Sequence, residues 1–550
     1  MNSRWNIALR NRALTLVCWA LPVTVALGQP PGSIGREVSV MMHLRDGEEF
    51  QMTIPELVAF GSQLFRAKWT SQEGQGRPRS KGTGVPLSDQ AAPLVFPRNF
   101  NRLSGPDANS CFGCHNSPFA GGGGDRSAEV FVLAQRFDFL DFDRSSTLPT
   151  KGAIDEAGNF LSLGTATNDR KSIGMNGSGF IEMLARQMSA ELQAERDTAI
   201  PGKSVTLTAK GISFGSLTRW PDGSWDVSQV AGIPAPSLIS AGTAPPSLLI
   251  RPFHQVGNVV SVRQFTNNAY NHHHGIQAEE RFGLGVDADG DGFVNELTTA
   301  DVTAATLFQI TLNVPGQVLP HDAVTRAAIT VGEQLFIKVG CASCHIPALP
   351  LTSNSNPGVP GQPGWIYSEP SPYNPTTGPN SPNLIPGVTK YPISAPPLLV
   401  DLTSDRLPLP RLTPVRGVIM VPAYTDLKLH TMADGPNDPN AEPIDQNEPV
   451  GSPGFFAGNQ KFLTRRLWGL ADSGPYGHAG KFTTIREAIN LGHNGEATTS
   501  RIAFQALFPF QQDEVIEFLK SLRVLPPGTP CTVVDEDLRC PKKGDDREDR

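Results

Sequence analysis

The chain has 550 residues, with 46 Lys and Arg against 53 Asp and Glu, for a net charge of −7. Such mild acidity leaves no electrostatic footprint for nucleic acid. The length exceeds what one compact core organises, so two or more domains are expected.

The N-terminus carries Arg4, Arg10 and Arg12, then an apolar run from Ala13 to Leu27 and the stretch Ala26-Leu27-Gly28 before Gln29. About fifteen apolar residues make the core of a secretory signal and fall short of a comfortable membrane span. Residues 1–28 therefore read as a signal peptide, and the exported chain is expected in the periplasm with no stable membrane insertion. A retained uncleaved anchor is the competing reading. Cys18 lies inside the apolar run behind Leu16-Val17, a poor lipoprotein box.

Thr53-Ile54-Pro55-Glu56 has the form of a capping box with proline early in the helix, so a helix is predicted to start at Thr53. It carries Gly61-Ser62-Gln63-Leu64-Phe65, and the same phrase returns as Gly332-Glu333-Gln334-Leu335-Phe336. Each copy precedes a CxxCH motif: Cys111-Phe112-Gly113-Cys114-His115 and Cys341-Ala342-Ser343-Cys344-His345. In such a motif the two thiols form thioethers to haem vinyl groups and the imidazole becomes the proximal iron ligand. A zinc site would need matched sets of ligands, and a thioredoxin-like pair would sit at a strand-to-helix turn. Neither pattern is present, so two covalent haems c are predicted.

Between the motifs, Ser204 to Ile233 alternates apolar and polar residues around Pro221-Asp222-Gly223, which predicts a β-hairpin. Asp287, Asp289 and Asp291 occupy positions one, three and five of a calcium loop with Gly292 at six. Position twelve is Thr298, and Glu296 stands at ten, so the stretch 287–298 is not a standard EF-hand; bound calcium is the reading, a solvated Asp-Gly turn its rival. Residues 352–400, dense in Pro, Asn, Gly and Ser, predict a long irregular excursion. Thr484 to Glu487 is a second capping box and Gly492 ends that helix, so His493 projects from its terminus. Val515, Ile516, Phe518, Leu519 and Leu522 share one face of a final helix over 513–522. Cys531 and Cys540 then form a local disulfide in the tail, expected in an oxidising compartment.

With these residues in hand, the chain resembles the di-haem cytochrome c peroxidase superfamily, in its di-haem or thiol oxidoreductase-like branch. The resemblance rests on Ser110 to Asn116 followed by Gly121 to Gly124, on Tyr424 to His430, and on Leu467-Trp468-Gly469-Leu470 followed by Pro475-Tyr476-Gly477-His478-Ala479-Gly480. It continues through Arg486 to Ile489 and His493 to Ala497. It implies a mainly α fold of two cytochrome c-like haem domains with long irregular insertions and a small β-hairpin element. The domains would be 29–325 and 326–526, followed by the tail 527–550.

The resemblance further implies that the N-terminal haem, on His115, is the reactive one, and that the haem on His345 relays electrons, with calcium held between the domains. His493 is the expected sixth ligand of the second iron; Met432, or neither residue, are the alternatives. His478 is expected beside a propionate. No histidine occurs between His115 and His254, where peroxidase members carry a displaceable one, so the first iron is expected to be open. Glu182 is the candidate distal acid–base residue, with a helix-surface carboxylate as the rival reading. One of His272, His273 and His274 is a candidate for the haem pocket. Trp69, Trp220 and Trp468 are candidate relays, each more simply a core residue.

The expected activity is reduction of hydrogen peroxide, or its activation against another substrate, with electrons from a small periplasmic cytochrome c or cupredoxin. Two rivals share the scaffold: an oxygenase or protein-maturation enzyme oxidising an external substrate, and a non-enzymatic di-haem electron carrier.

Overall fold

Thr53 caps the first helix as its sequence requires. Its side chain accepts the Glu56 N–H, and the Glu56 carboxylate accepts the Thr53 N–H in return. In the computed structural model, residues 34–75, 108–124, 127–130, 145–147, 160, 162–287, 292–369, 397–448 and 452–541 are described. The signal segment 1–28, Asp289, Asp291 and most of the Pro-rich excursion lie outside them. Eight helices of at least eight residues organise the described chain: α1 (Ile54–Arg66), α2 (Ser178–Asp197), α3 (Val262–Ala269), α4 (Thr299–Ile310), α5 (Ala323–Lys338), α6 (Ile485–Gly492), α7 (Thr498–Gln505) and α8 (Pro509–Ser521).

The repeated Gly-x-x-Leu-Phe phrase marks a repeated helix crossing. A Cβ on Gly61 would strike the Ala304 carbonyl and the Phe308 Cβ, so only glycine lets α1 approach α4 this closely. In the second copy a Cβ on Gly332 would strike the Glu514 carbonyl and the Phe518 Cβ, where α5 meets α8. The phenylalanines repeat as well: Phe65 packs on Phe308 with centroids 5.0 Å apart, and Phe336 on Phe518 at 5.5 Å. In both copies the phrase precedes the CxxCH turn along the chain.

The smaller core gathers Ile329, Phe336, Tyr424, Phe504, Phe518 and their neighbours around the second motif. A larger core runs from Leu57 through α2, α3 and α4 to Leu349, Tyr367, Val421 and Trp468. It therefore draws on both sides of position 325, and a cut there would divide it. All twelve residues of α4 are buried.

The strands are short and send residues such as Phe214, Leu349 and Tyr367 into the larger core. Lys203–Ala209 pairs with Ile212–Arg219, which pairs with Trp225–Asp226. The predicted hairpin is thus a three-stranded meander. Its tightest turn falls at Lys210-Gly211, where both residues have positive φ, and Pro221-Asp222-Gly223 makes only the second turn. The excursion contributes one hairpin pair, Ile366–Glu369 with Leu398–Asp401. At the end of the chain, Val533–Asp535 lies parallel to Gly316–Leu319, and a disulfide joins Cys531 to Cys540 with Cα atoms 6.0 Å apart. Among the described residues no helix is long and apolar enough to cross a membrane.

Candidate functional site

Each CxxCH motif folds as one 3-10 turn, Cys111–Gly113 and Cys341–Ser343, and each opens on a cavity. The His115 and His345 amides bond back to the carbonyls of Cys111 and Cys341, 2.9 and 3.0 Å away. Burial pushes the Cys111 and Cys341 thiols up to about 12.

The second cavity, of about 250 Å³, is lined by Cys341, Cys344, His345, Met432, His478 and His493 among others. His345 Nδ1 donates to the Tyr424 carbonyl at 3.1 Å, and His493 Nδ1 to the Ala488 carbonyl at 2.9 Å. Both bonds fix the tautomer that leaves Nε2 for a metal, the usual second tie of a ligating histidine. Tyr424, whose carbonyl takes the His345 bond, and Leu427 hold left-handed backbone conformations, φ 53° and 57°. The ring centroids of His345 and His493 lie 6.4 Å apart. Two imidazoles on opposite sides of one metal, with nitrogens about 2 Å from it, would place their centroids roughly 6 Å apart. Burial, then the charge of His493, lowers His345 to about 4, so its imidazole is neutral above that pH.

His430 faces the same cavity with both ring nitrogens engaged by carboxylates. Burial works against its charge, yet bonding to Asp426, Cys344 and Glu496 raises it to about 11. Its two nitrogens lie 2.8 Å from Asp426 and 2.8 Å from Glu496. His478 lines the cavity with its ring stacked on Phe462 at 4.0 Å.

The first cavity, of about 150 Å³, is lined by Cys111, Cys114, His115, His254, His273 and His274 together with apolar side chains such as Phe65, Met175 and Phe265. The run Gly121–Gly124 closes on the motif: a Cβ at Gly124 would strike the Cys114 carbonyl. Burial, then the charge of His273, holds His115 at about 4. A five-residue π-helical turn, Tyr270–His274, extends α3 into the cavity wall, a geometry that recurs at functional sites. The structure separates two of the three consecutive histidines. His274 lies with Nδ1 2.6 Å from the Ala108 carbonyl and Nε2 3.3 Å from Cys111 Sγ, so it braces the attachment turn. His273 lines the cavity and bears electrically on His115.

Glu182 does not face the first cavity. It is 1 % exposed and does not line the cavity. Its Oε1 accepts from Arg186 Nη2 at 2.7 Å and its Oε2 from the Val262 N–H at 2.8 Å. The charge run continues through Glu369, Arg263 and Glu280. A carboxylate so committed braces α2 against the start of α3. Among the described residues the first cavity has no Asp or Glu in its lining. Glu296, the fourth acid of the calcium reading, is engaged by backbone. It is buried against Gly74 and accepts the Gln277 N–H at 2.7 Å, so it caps backbone inside the fold. Asp287 is exposed and accepts the Gly292 N–H at 3.0 Å, while Asp289 and Asp291 lie outside the described residues. Trp69 packs edge-on against Tyr270, Trp468 against Gly177, and Trp220 is 48 % exposed; none lines either cavity.

Arg465 and Arg466 are cavity residues that the sequence motifs do not point to. Both guanidiniums are partly buried, and desolvation lowers them to about 9 and about 10. Among the described residues neither has an ion pair; Arg466 donates to the Gly174 carbonyl at 2.9 Å. Buried cations without a counter-charge are costly, and the two acidic side chains of a haem would supply one. The cysteines, the neutral imidazoles and these cations together fit haem c. The signal is present in sequence as adjacent arginines in the stretch between Lys461 and Leu470. His254 is visible there only as a residue type; its left-handed φ of 68° is a tertiary property.

No family model and no curated protein matches the chain. Among solved structures, a hydrazine synthase of Kuenenia stuttgartiensis aligns with 90% of this chain and 100% of its own at 13% identity and a TM-score of 0.30. A likeness of that size carries no argument.

Proposed function

We propose that this chain is an exported di-haem c-type oxidoreductase that reduces hydrogen peroxide with electrons from a small periplasmic cytochrome c or cupredoxin. The observation that carries the reading is the pairing of His345 with His493 at 6.4 Å beside one CxxCH. Against it stands a second CxxCH whose cavity is lined by His254 and His273.

Haem, when bound, supplies iron that exchanges single electrons and, at an exchangeable position, meets peroxide oxygen. The chain does the rest. Cys111 and Cys114 tether one group and Cys341 and Cys344 the other, with His115 and His345 as proximal ligands. Tyr424 and Ala488 carbonyls hold the His345 and His493 rings still, so the second site changes charge with little rearrangement. Peroxide reduction takes up two electrons and two protons and releases two waters. The proton carriers in the first cavity are the imidazoles of His254 and His273, since its lining offers no carboxylate among the described residues. Calcium at the Asp287 turn remains part of the proposal, with ligands other than Glu296.

Haem stoichiometry by the pyridine haemochrome method, followed by peroxide consumption with a reduced cytochrome donor, tests the reading. Two haems per chain and donor-dependent consumption are expected. Two haems with no turnover would leave an electron carrier, and no covalent haem would remove the proposal.

A further inference from the structure

The two cavities share one wall. Lys171, Ser172, Gln255, Leu463, Thr464 and Arg465 line both. Backbone bonds hold it together: Lys171 N–H donates to the His478 carbonyl at 2.9 Å, and Leu463 N–H to that of Gln255 at 3.0 Å. Gln255 Nε2 donates to the carbonyls of Lys171 and His478, 3.3 and 3.2 Å away. The wall is therefore rigid and built from three separate stretches of chain.

Arginines are distributed across it in a graded way. Arg466 lines the first cavity only, Arg501 the second only, and Arg465 both. The charge of Arg465 bears on the buried His115 imidazole, while its backbone bears on His345. Among the described residues no carboxylate pairs with it, although it is partly buried. A guanidinium facing two apolar cavities is favoured by anionic partners, and both cavities already read as sites for a group bearing carboxylates. Its planar fork matches carboxylate geometry side-on; the neighbouring Lys171 has a compact ammonium that cannot span two acceptors in the same way.

We propose that Arg465 is a shared anchor for carboxylates of both bound haems, a single fixed cation that sets the reduction potential at both irons. This rests on the di-haem reading above. A positive charge favours the reduced iron, which carries one charge less, so its loss lowers the potential.

The test is a spectroelectrochemical titration of the full-length holoprotein, wild type beside Arg465→Gln, Arg465→Lys, Arg466→Gln and Arg501→Gln, with haem stoichiometry measured on each. Arg465→Gln is expected to lower both midpoint potentials. Arg466→Gln should lower only the first haem's, Arg501→Gln only the second's, and Arg465→Lys should lower both by less. If Arg465→Gln does not mature with two haems, Arg465→Lys carries the same test. A shift at one haem alone, or at neither, in a chain that retains both would overturn the inference. Absence of covalent haem from the wild type would instead overturn the di-haem reading itself.

Discussion

Gly61 and Gly332 occupy the same point of two helix crossings, yet the cavities beside them are walled differently. At the second, one histidine from the end of α6 faces the proximal one, and both rings are tied to backbone carbonyls. At the first, the far wall is assembled from distant stretches: His254 in a left-handed turn, His273 in a π-helical turn, and Arg466 before the Trp468 motif. A buried charge network around Glu182 and Arg263 secures the base of that wall. The difference teaches how one repeated unit suits the two roles proposed for it. Electron relay asks for ligands that do not move, whereas reaction asks for groups that are held in place and can still exchange protons.

The largest effect should come from removing one attachment. Replacing Cys341 and Cys344 by Ala is expected to halve the haem content and keep the first haem's spectrum, as read by pyridine haemochrome; loss of both haems would show that the sites are not separable. Next, His493→Ala should turn a low-spin ferric signal into a high-spin one, while His493→Met should keep it low-spin and raise that haem's potential. An unchanged EPR spectrum in both variants would remove His493 from the iron.

Glu182→Ala leaves Arg186 buried without its carboxylate, and breaking such a pair costs about 3–5 kcal/mol. Urea unfolding should register that loss, with the second haem's spectrum unaltered. A stable variant that loses only activity would restore Glu182 as a distal acid. Gly61→Ala and Gly332→Ala should each cost about 1–3 kcal/mol through overpacking, seen as matched falls in Tm. Unequal losses would weaken the equivalence of the two crossings.

The smallest effect concerns Glu279, at the foot of α4. Burial first, then bonding to Asp46, raises its carboxyl from the ordinary 4.5 to about 7. The folded chain thus holds a proton that the unfolded chain has released between those values, so this contribution to stability is present below pH 4.5 and lost as pH rises through about 7. Glu279→Gln should flatten that part of the Tm–pH profile; an identical profile would show that the carboxyl is not perturbed.

What is legible in the sequence is what short-range chemistry dictates. The thiol spacing, the capping boxes at Thr53 and Thr484, and His493 at the end of α6 depend on neighbours within a turn. Helix α4 is not legible, because a helix buried on every side has no polar stripe to reveal its period. Glu182 misleads for a related reason: a carboxylate beside a Gly-rich turn suits a catalytic site or an ion pair, and Arg186, one turn on, decides between them. The shared arginine wall joins residues near 171, 255 and 465, and nothing local in any of those stretches points to the others.

The central claim is that two haem c sites divide relay from reaction, and EPR of the purified ferric holoprotein before and after one equivalent of hydrogen peroxide tests it most directly. The account predicts a low-spin bis-imidazole signal that peroxide leaves alone and a second haem signal that peroxide changes. Two low-spin signals, both indifferent to peroxide, would contradict it.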